Sequence, residues 1–233
     1  MPRESREEWK TYKNVFDQSA LLNIEKLRSE GHLDELKSPI SIGKEANIFT
    51  AAKGDELIIA KIYRVENCNF NQMYRYIAPD PRFAGLKKRR RLVIMAWVLR
   101  EYRNLLKARE VIRVPMPIAV KESILLMEFI GRGSTPALKL KDDRPINPED
   151  FFEKTVDSVK KLYKASLVHA DLSEFNILNF EQEPVFIDLS QTTTTEHPQA
   201  QEFLQRDLHN VVKFFNKLGV KADEEEVLKR VKD

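Results

Sequence analysis

The sequence has one cysteine, Cys68, among 233 residues. A lone cysteine excludes an internal disulfide framework and a cysteine-rich metal centre, fits a reducing compartment, and suits a structural more than a reactive role. No run of eighteen apolar residues occurs, and the N-terminus Met-Pro-Arg-Glu-Ser-Arg-Glu-Glu is charged where a signal peptide would be apolar. A soluble, cytoplasmic chain with no membrane partner is therefore expected. Seven glycines are few for this length, and no Gly/Ser linker, repeat or low-complexity tract divides the chain. The 39 basic and 36 acidic residues nearly cancel at +3, so the overall field does not identify a nucleic-acid partner. What the chain does have is 42% hydrophobic residues, enough to bury a sizeable core.

Periodicity gives the organisation. Trp9, Tyr12 and Phe16, then Leu21, Ile24 and Leu27, recur at helical spacing, predicting a helical extension over residues 1–40 with Gly31 as a terminator. Residues 41–52 and 57–63 read as an antiparallel hairpin about Lys53-Gly54-Asp55. Residues 65–88, with Pro79, Pro81 and Gly85, read as an irregular, mobile insertion. A helix over 88–110 follows, its apolar face including Val98, Leu105 and Leu106 and its polar face Arg100, Arg103 and Lys107. Strands at 114–118 and 123–130 end at Gly131-Arg-Gly-Ser-Thr-Pro, the expected lobe boundary. Beyond it, Asn147-Pro148 starts a helix; short strands near 176–179 and 185–189 precede a helix over 200–217 and a last short helix. The fold class is α+β, strands with one helix followed by mostly helices. Residues 41–130 supply an N-lobe of antiparallel sheet plus helix, and 131–233 a mostly helical, truncated C-lobe.

The strongest chemical signal is His169-Ala-Asp-Leu-Ser-Glu-Phe-Asn, which sets Asp171 and Asn176 in the H-x-D-x-x-x-x-N spacing. In phosphoryl transfer the Asp orients or accepts the proton of the attacking hydroxyl, and the Asn amide oxygen ligates a metal. Asp188 ends the apolar run Val185-Phe-Ile, where a buried carboxylate needs a cation or another partner. It reads as the principal magnesium ligand; a turn cap at Ser190 is the structural alternative. Lys61 interrupts an apolar strand and needs an anionic partner, a nucleotide phosphate plus a carboxylate, with Glu101 on the inward flank of its helix the natural choice. Ser41, Gly43 and Lys44 stand where a phosphate-covering loop would lie, although the segment is neither G-x-G-x-x-G nor a Walker A. Backbone groups at Glu128 and Ile130 could meet an adenine edge. The run Lys87-Lys-Arg-Arg-Arg opens a helix where positive charge opposes the macrodipole, and so invites an anion such as RNA phosphate.

Together, Ser41-x-Gly-Lys-Glu-Ala-Asn, Lys61-Ile-Tyr-Arg, His169-Ala-Asp-Leu-Ser-Glu-Phe-Asn and Ile187-Asp-Leu-Ser-Gln resemble the RIO family of atypical serine/threonine protein kinases, and its first subfamily more than its second. The resemblance implies a truncated two-lobed protein-kinase-like fold, ATP with Mg2+, or Mn2+ in its place, as cofactors, and serine autophosphorylation or a protein substrate. It also implies a role in maturing the small ribosomal subunit, whose preribosomal protein and rRNA would be partners. ATP hydrolysis through a phosphorylated aspartate is a further implied activity, with Asp188 as the acceptor. Two departures matter: Ile42 replaces a hydroxyl residue of the phosphate loop, and residues 65–96 contain no Ser or Thr, which removes the autophosphorylation site expected there. The alternatives are a small-molecule kinase, disfavoured because only 45 residues follow Asp188, and a nucleotide-gated, non-catalytic assembly factor.

Overall fold

The structure, a computed structural model, describes residues 16–233. Trp9 and Tyr12 of the predicted N-terminal stripe lie outside them. The described residues form two compact units: one holds those up to Ile77 with Gly85–Leu99 and Pro117–Glu128; the other holds Ala78–Ala84, Arg100–Met116 and Phe129–Asp233.

In the first unit, helix α1 (Gln18–Ser29) starts at Asp17, whose side chain accepts the Ala20 N–H at 2.6 Å. It buries Ala20, Ile24 and Leu27. The helix stops well short of residue 40: Glu35–Ile42 is strand β1, formed by a segment whose lysine, serine and proline give no clean two-residue alternation. Strands β2 (Ala46–Lys53), β3 (Glu56–Tyr63), β4 (Pro117–Lys121) and β5 (Ile124–Glu128) complete an antiparallel sheet of order β1-β2-β3-β5-β4. Pro39, which has no N–H to give the ladder, sits at a register irregularity of the edge strand β1. What reads in sequence as one segment over 41–52 is thus two strands. Gly43 makes the reversal, because its N–H donates to the Ala46 carbonyl at 3.0 Å and a Cβ there would lie 2.6 Å from that oxygen. Phe16 packs on Phe49 with ring centroids 5.2 Å apart, over a core that includes Leu27, Leu33, Ile58, Ile62, Ile124 and Leu126.

The insertion is more ordered than its sequence suggests. Helix α2 (Phe70–Ile77) buries Met73 and Ile77, a four-residue spacing that eight residues repeat too few times to be recognised. Tyr76 meets Trp97 edge-on at 6.0 Å. Helix α3 (Arg90–Ala108) begins in the first unit and ends in the second.

In the second unit, a 3-10 turn (Pro81–Phe83) follows Asp80, whose side chain accepts the Arg82 N–H at 3.0 Å. Strands β6 (Gly131–Arg132) and β7 (Thr135–Pro136) form a small hairpin. Strands β8 (Leu138–Lys139), β10 (Ile177–Phe180) and β11 (Glu183–Phe186) form a sheet of order β11-β10-β8, while β9 (Leu167–Val168) pairs with β12 (Thr193–Thr194). Helices α4 (Pro148–Lys164), α5 (Ala200–Lys217) and α6 (Glu224–Lys232) complete it. Asn147 caps α4 by accepting the Asp150 N–H at 3.1 Å, and Phe151 and Phe152 pack on Phe215 at 6.1 and 5.4 Å. Two side chains of α3 differ from expectation. Arg100, assigned by its charge to the solvent side, is 0% exposed, and Leu106, assigned to the apolar face, is 37% exposed.

Candidate active site

The catalytic-loop segment runs from β9 to β10 in the second unit, and its backbone is held from three directions. The Asp207 carboxylate of α5 accepts the N–H groups of Ala170 and Leu172, both at 2.8 Å. Next to it, Arg206 donates to the Ala170 carbonyl, and Asn210 donates to the Leu172 carbonyl at 3.0 Å. These bonds fix the residues on either side of Asp171. Ala170 itself has φ +65, a left-handed conformation that costs an alanine on the order of 1–2 kcal/mol. Burial raises the Asp207 carboxyl to about 7, against the pull of the two backbone N–H groups and Arg206. No motif in the sequence signals Asp207. It sits one helical turn from Phe203 and Val211 on the inward stripe of α5, so an acidic residue at a core position was the available clue.

Asn176 and Asp171 meet directly. The Asn176 Nδ2 donates to the Asp171 backbone carbonyl at 2.8 Å and reaches Asp171 Oδ2 at 3.3 Å. With its nitrogen committed, the amide presents Oδ1 on the other side, as a metal ligand requires. The Ile187 N–H donates to the Asn176 carbonyl at 3.0 Å, which ties the loop to the residue before Asp188.

His169 makes the same connection a second time. It is 2% exposed, and its Nε2 lies 3.1 Å from the Ile187 carbonyl, so a neutral ring protonated at Nε2 donates there. Burial lowers its pKa to about 4 despite that bond. The ring stands edge-on to Phe186 at 6.0 Å, and its backbone carbonyl accepts the Thr192 hydroxyl at 3.2 Å.

Asp188 follows β11 with φ +59. It is half-buried, not enclosed as its place at the end of an apolar run suggests. The Ser190 hydroxyl donates to its Oδ1 at 2.7 Å, so the turn cap is formed. Of the other candidates in this unit, Glu101 is 1% exposed on α3. Ile130 is buried, and its carbonyl accepts the Ala137 N–H at 2.9 Å.

The remaining candidates lie in the first unit. Lys61, 6% exposed in the centre of β3, pairs in register with Ile48 and Leu125 and lies over the Tyr63 ring at 5.2 Å. Ser41 and Lys44 are exposed at the β1–β2 turn, and the Gly43 carbonyl accepts from Arg64 at 3.5 Å. Glu128 ends β5 opposite Ile58. The basic run is partly structural: Arg90 donates to the carbonyls of Glu66 and Cys68 at 2.9 and 3.2 Å and stacks over Phe70. Arg91 pairs with Glu122 at 2.6 Å, and Lys88 lies over Tyr74.

Among the described residues no three His, Cys, Asp or Glu side chains converge as a metal cage, and no helix is long and apolar enough to cross a membrane.

The family model described as RIO domain matches residues 47–227. The RIO-type serine/threonine-protein kinase Rio1 of Haloferax volcanii is 41% identical over 225 residues, covering 96% of this chain and 78% of that protein. Its namesake in Methanocaldococcus jannaschii is 42% identical over 230 residues, covering 98% and 79%. The serine/threonine-protein kinase RIO1 of Caenorhabditis elegans is 36% identical over 217 residues, 90% of this chain and 43% of that protein. Among solved structures, the Rio2 kinase-ADP/Mg2+-phosphoaspartate complex from Chaetomium thermophilum superposes with TM-score 0.69 at 19% identity. The match covers 89% of this chain and 65% of that one, and the likeness is one of kinase-like α+β fold.

Proposed function

Because the chain belongs to the RIO family, in the Rio1 subfamily of RIO-type serine/threonine-protein kinases, we propose that Asp171, Asn176 and Asp188 form its phosphoryl-transfer centre, with ATP and Mg2+ as cofactors. The observation that carries the proposal is the Asp171–Asn176 contact, in which the amide nitrogen is anchored on Asp171. The base is thereby held beside an amide whose oxygen is directed away from it.

The donor set suits magnesium. Asn176 Oδ1 and the Asp188 carboxylate are hard oxygens, and Mg2+ is ordinarily held by one or two carboxylates together with substrate phosphates and waters, not by an all-protein cage. Bound there, the ion would neutralise charge on the β- and γ-phosphates. Asp171 orients the attacking hydroxyl and takes its proton. The new bond joins that oxygen to the γ-phosphorus, and the bond from phosphorus to the β-phosphate oxygen breaks as ADP leaves. The family resemblance supports phosphate positioning by Lys61, a supporting carboxylate role for Glu101, and contacts to the phosphates from Ser41, Gly43 and Lys44. Glu128 and Ile130 offer backbone groups to adenine, Ile130 through its N–H because its carbonyl already accepts from Ala137.

A second reading has support in this chain. Asp188 is half-exposed and accepts the Ser190 hydroxyl, a geometry that fixes the carboxylate for attack on the γ-phosphorus, with ADP leaving as the bond to the β-phosphate oxygen breaks. Water would then hydrolyse the acyl phosphate, making the protein an ATPase. A solved Rio2 relative is described as a phosphoaspartate complex, which favours testing this route. The family resemblance further supports a cytoplasmic role on the preribosomal small subunit and tolerance of Mn2+ in place of Mg2+.

The test uses purified protein with γ-labelled ATP. Asp171→Asn is expected to abolish turnover and leave ATP affinity within about threefold, since it removes the base and spares the metal ligands. Unchanged turnover would defeat the enzyme reading. Hydroxylamine then separates the two chemistries: a labile label is an aspartyl phosphate, and a stable one is phosphoserine or phosphothreonine.

A further inference from the structure

The predicted mobile insertion contributes a buried polar network to the second unit, and that network ends beside Asp188. Asp80 is 4% exposed and Arg100 and Asn104 are each 0% exposed. Arg82 grips Asp80 through Nε at 2.9 Å to Oδ1 and NH2 at 2.6 Å to Oδ2, and its NH1 donates to Asn104 Oδ1 at 3.0 Å. Arg100 Nε lies 3.4 Å from Asp80 Oδ2.

Asn104 and Arg100 both donate to one stretch of backbone. Asn104 Nδ2 donates to the carbonyls of Leu189 at 2.9 Å and Thr192 at 2.8 Å. Arg100 donates to the carbonyls of Ser190 and Gln191 at 3.3 and 3.4 Å. Four consecutive carbonyls, beginning one residue after Asp188, are thus held by two side chains of α3. Both of those side chains are held in turn by residues 80–82.

A core position filled by an arginine and an asparagine in place of two apolar residues is costly unless each polar atom is used. Here the used atoms converge on the segment that carries Asp188, whose own backbone is left-handed and needs outside support to stay so. Burial alone would raise the Asp80 carboxyl, but the bonds from Arg82 and the nearby Arg100 outweigh it and hold Asp80 below the usual carboxylate range. The anchor is therefore ionised at neutral pH.

We propose that Asp80, Arg82, Arg100 and Asn104 are positioning residues that fix the backbone of residues 189–192 and so aim the Asp188 carboxylate. The 78–84 part of the insertion is then a built-in control on the metal-binding side chain: whatever orders or displaces it changes how well Asp188 is presented. The proposal rests on the reading of Asp188 as a metal ligand, and it is tested so that the two can fail separately.

Asn104→Ala removes both carbonyl contacts of the amide, Asp80→Asn removes the charge that holds both arginines, and Arg82→Lys keeps the charge but loses the fork. Two quantities are measured alongside thermal unfolding. One is hydrogen exchange over residues 188–193 in protein free of metal and nucleotide. The other is the Mg2+ concentration that half-saturates ATP turnover. Asn104→Ala and Asp80→Asn are expected to speed exchange in that segment at least about tenfold and to raise half-saturating Mg2+ about tenfold, the low end of what loss of a ligand-orienting contact causes. The KM for ATP at saturating Mg2+ should stay within about threefold.

Variants that fold yet leave exchange or Mg2+ half-saturation within about twofold of the parent would overturn the proposal, as would failure of all three to fold, Arg82→Lys included. Asp188→Asn is the separate control: if it keeps Mg2+-dependent turnover, the reading of Asp188 fails, whatever the network variants do.

Discussion

Replacing Asp207 with asparagine tests the structural basis of the catalytic loop most sharply, because stability and activity should respond to pH in different ways. The carboxylate is 1% exposed and accepts two backbone N–H groups, those of Ala170 and Leu172. Asparagine keeps one acceptor oxygen and turns an NH2 toward the other N–H, leaving it unsatisfied at a cost of about 1–3 kcal/mol. Against this stands the ionisation of the native aspartate. Its pKa rises from 3.8 to about 7 on folding, so the native state binds the proton more tightly than the unfolded state. The associated stabilisation is fully present below pH 3.8 and is lost as pH rises to 7. That raised value corresponds to roughly 4 kcal/mol at most, at 1.36 kcal/mol per pH unit.

The stability advantage of the parent over Asp207→Asn should therefore be largest in acid and shrink steadily through this interval, with the variant's penalty erased near neutrality. Urea denaturation at a series of pH values, with unchanged m, measures it. Turnover should behave otherwise and stay at least about tenfold reduced at neutral pH, because the loop beside Asp171 has lost one of the two N–H bonds that Asp207 accepts. A parent-minus-variant difference that is flat, or that grows with pH, would refute the reasoning: it would mean that the two N–H groups and Arg206 keep Asp207 ionised against its burial.

His169 should give the opposite sign. Its pKa falls from 6.5 to about 4 on folding, so its contribution is present above pH 6.5 and is lost as pH falls to 4, by roughly 3 kcal/mol; His169→Asn should remove that acid-side loss from the urea midpoints. For RNA binding, Lys87 and Arg89 are the members of the basic run without a partner among the described residues, and both are exposed. Replacing them with serine should lower the magnitude of the slope of log K against log salt by about 1.4–1.8; an unchanged slope would exclude them from an RNA interface.

How much of this molecule could be read from its sequence depended on the range of the interactions involved. Asp171, Asn176 and Asp188 were legible as candidates because the first two lie five residues apart in one loop and the third ends an apolar run. Long amphipathic helices such as α4 and α5 repeat their period often enough to be seen, and their observed spans begin at or near the predicted starts. Strand β1 was hidden by a proline and exposed polar residues that only an edge position tolerates. Helix α2 was hidden by its shortness.

The misplacement of Arg100 on α3 has a physical cause. Charge alone sends an arginine to solvent, and no local pattern announces that Asp80 and the carbonyls of Ser190 and Gln191 will be waiting for Arg100 inside the second unit. Asp207 escaped notice for the same reason, its partners being 35 and 37 residues away. The sequence by itself determined the family and the kinase-like α+β class and singled out the candidate site residues, since these rest on local motifs and hydrophobic period. Only the tertiary structure decided which buried polar groups hold those side chains in place, because a buried charge is acceptable just where distant chain segments converge to satisfy it.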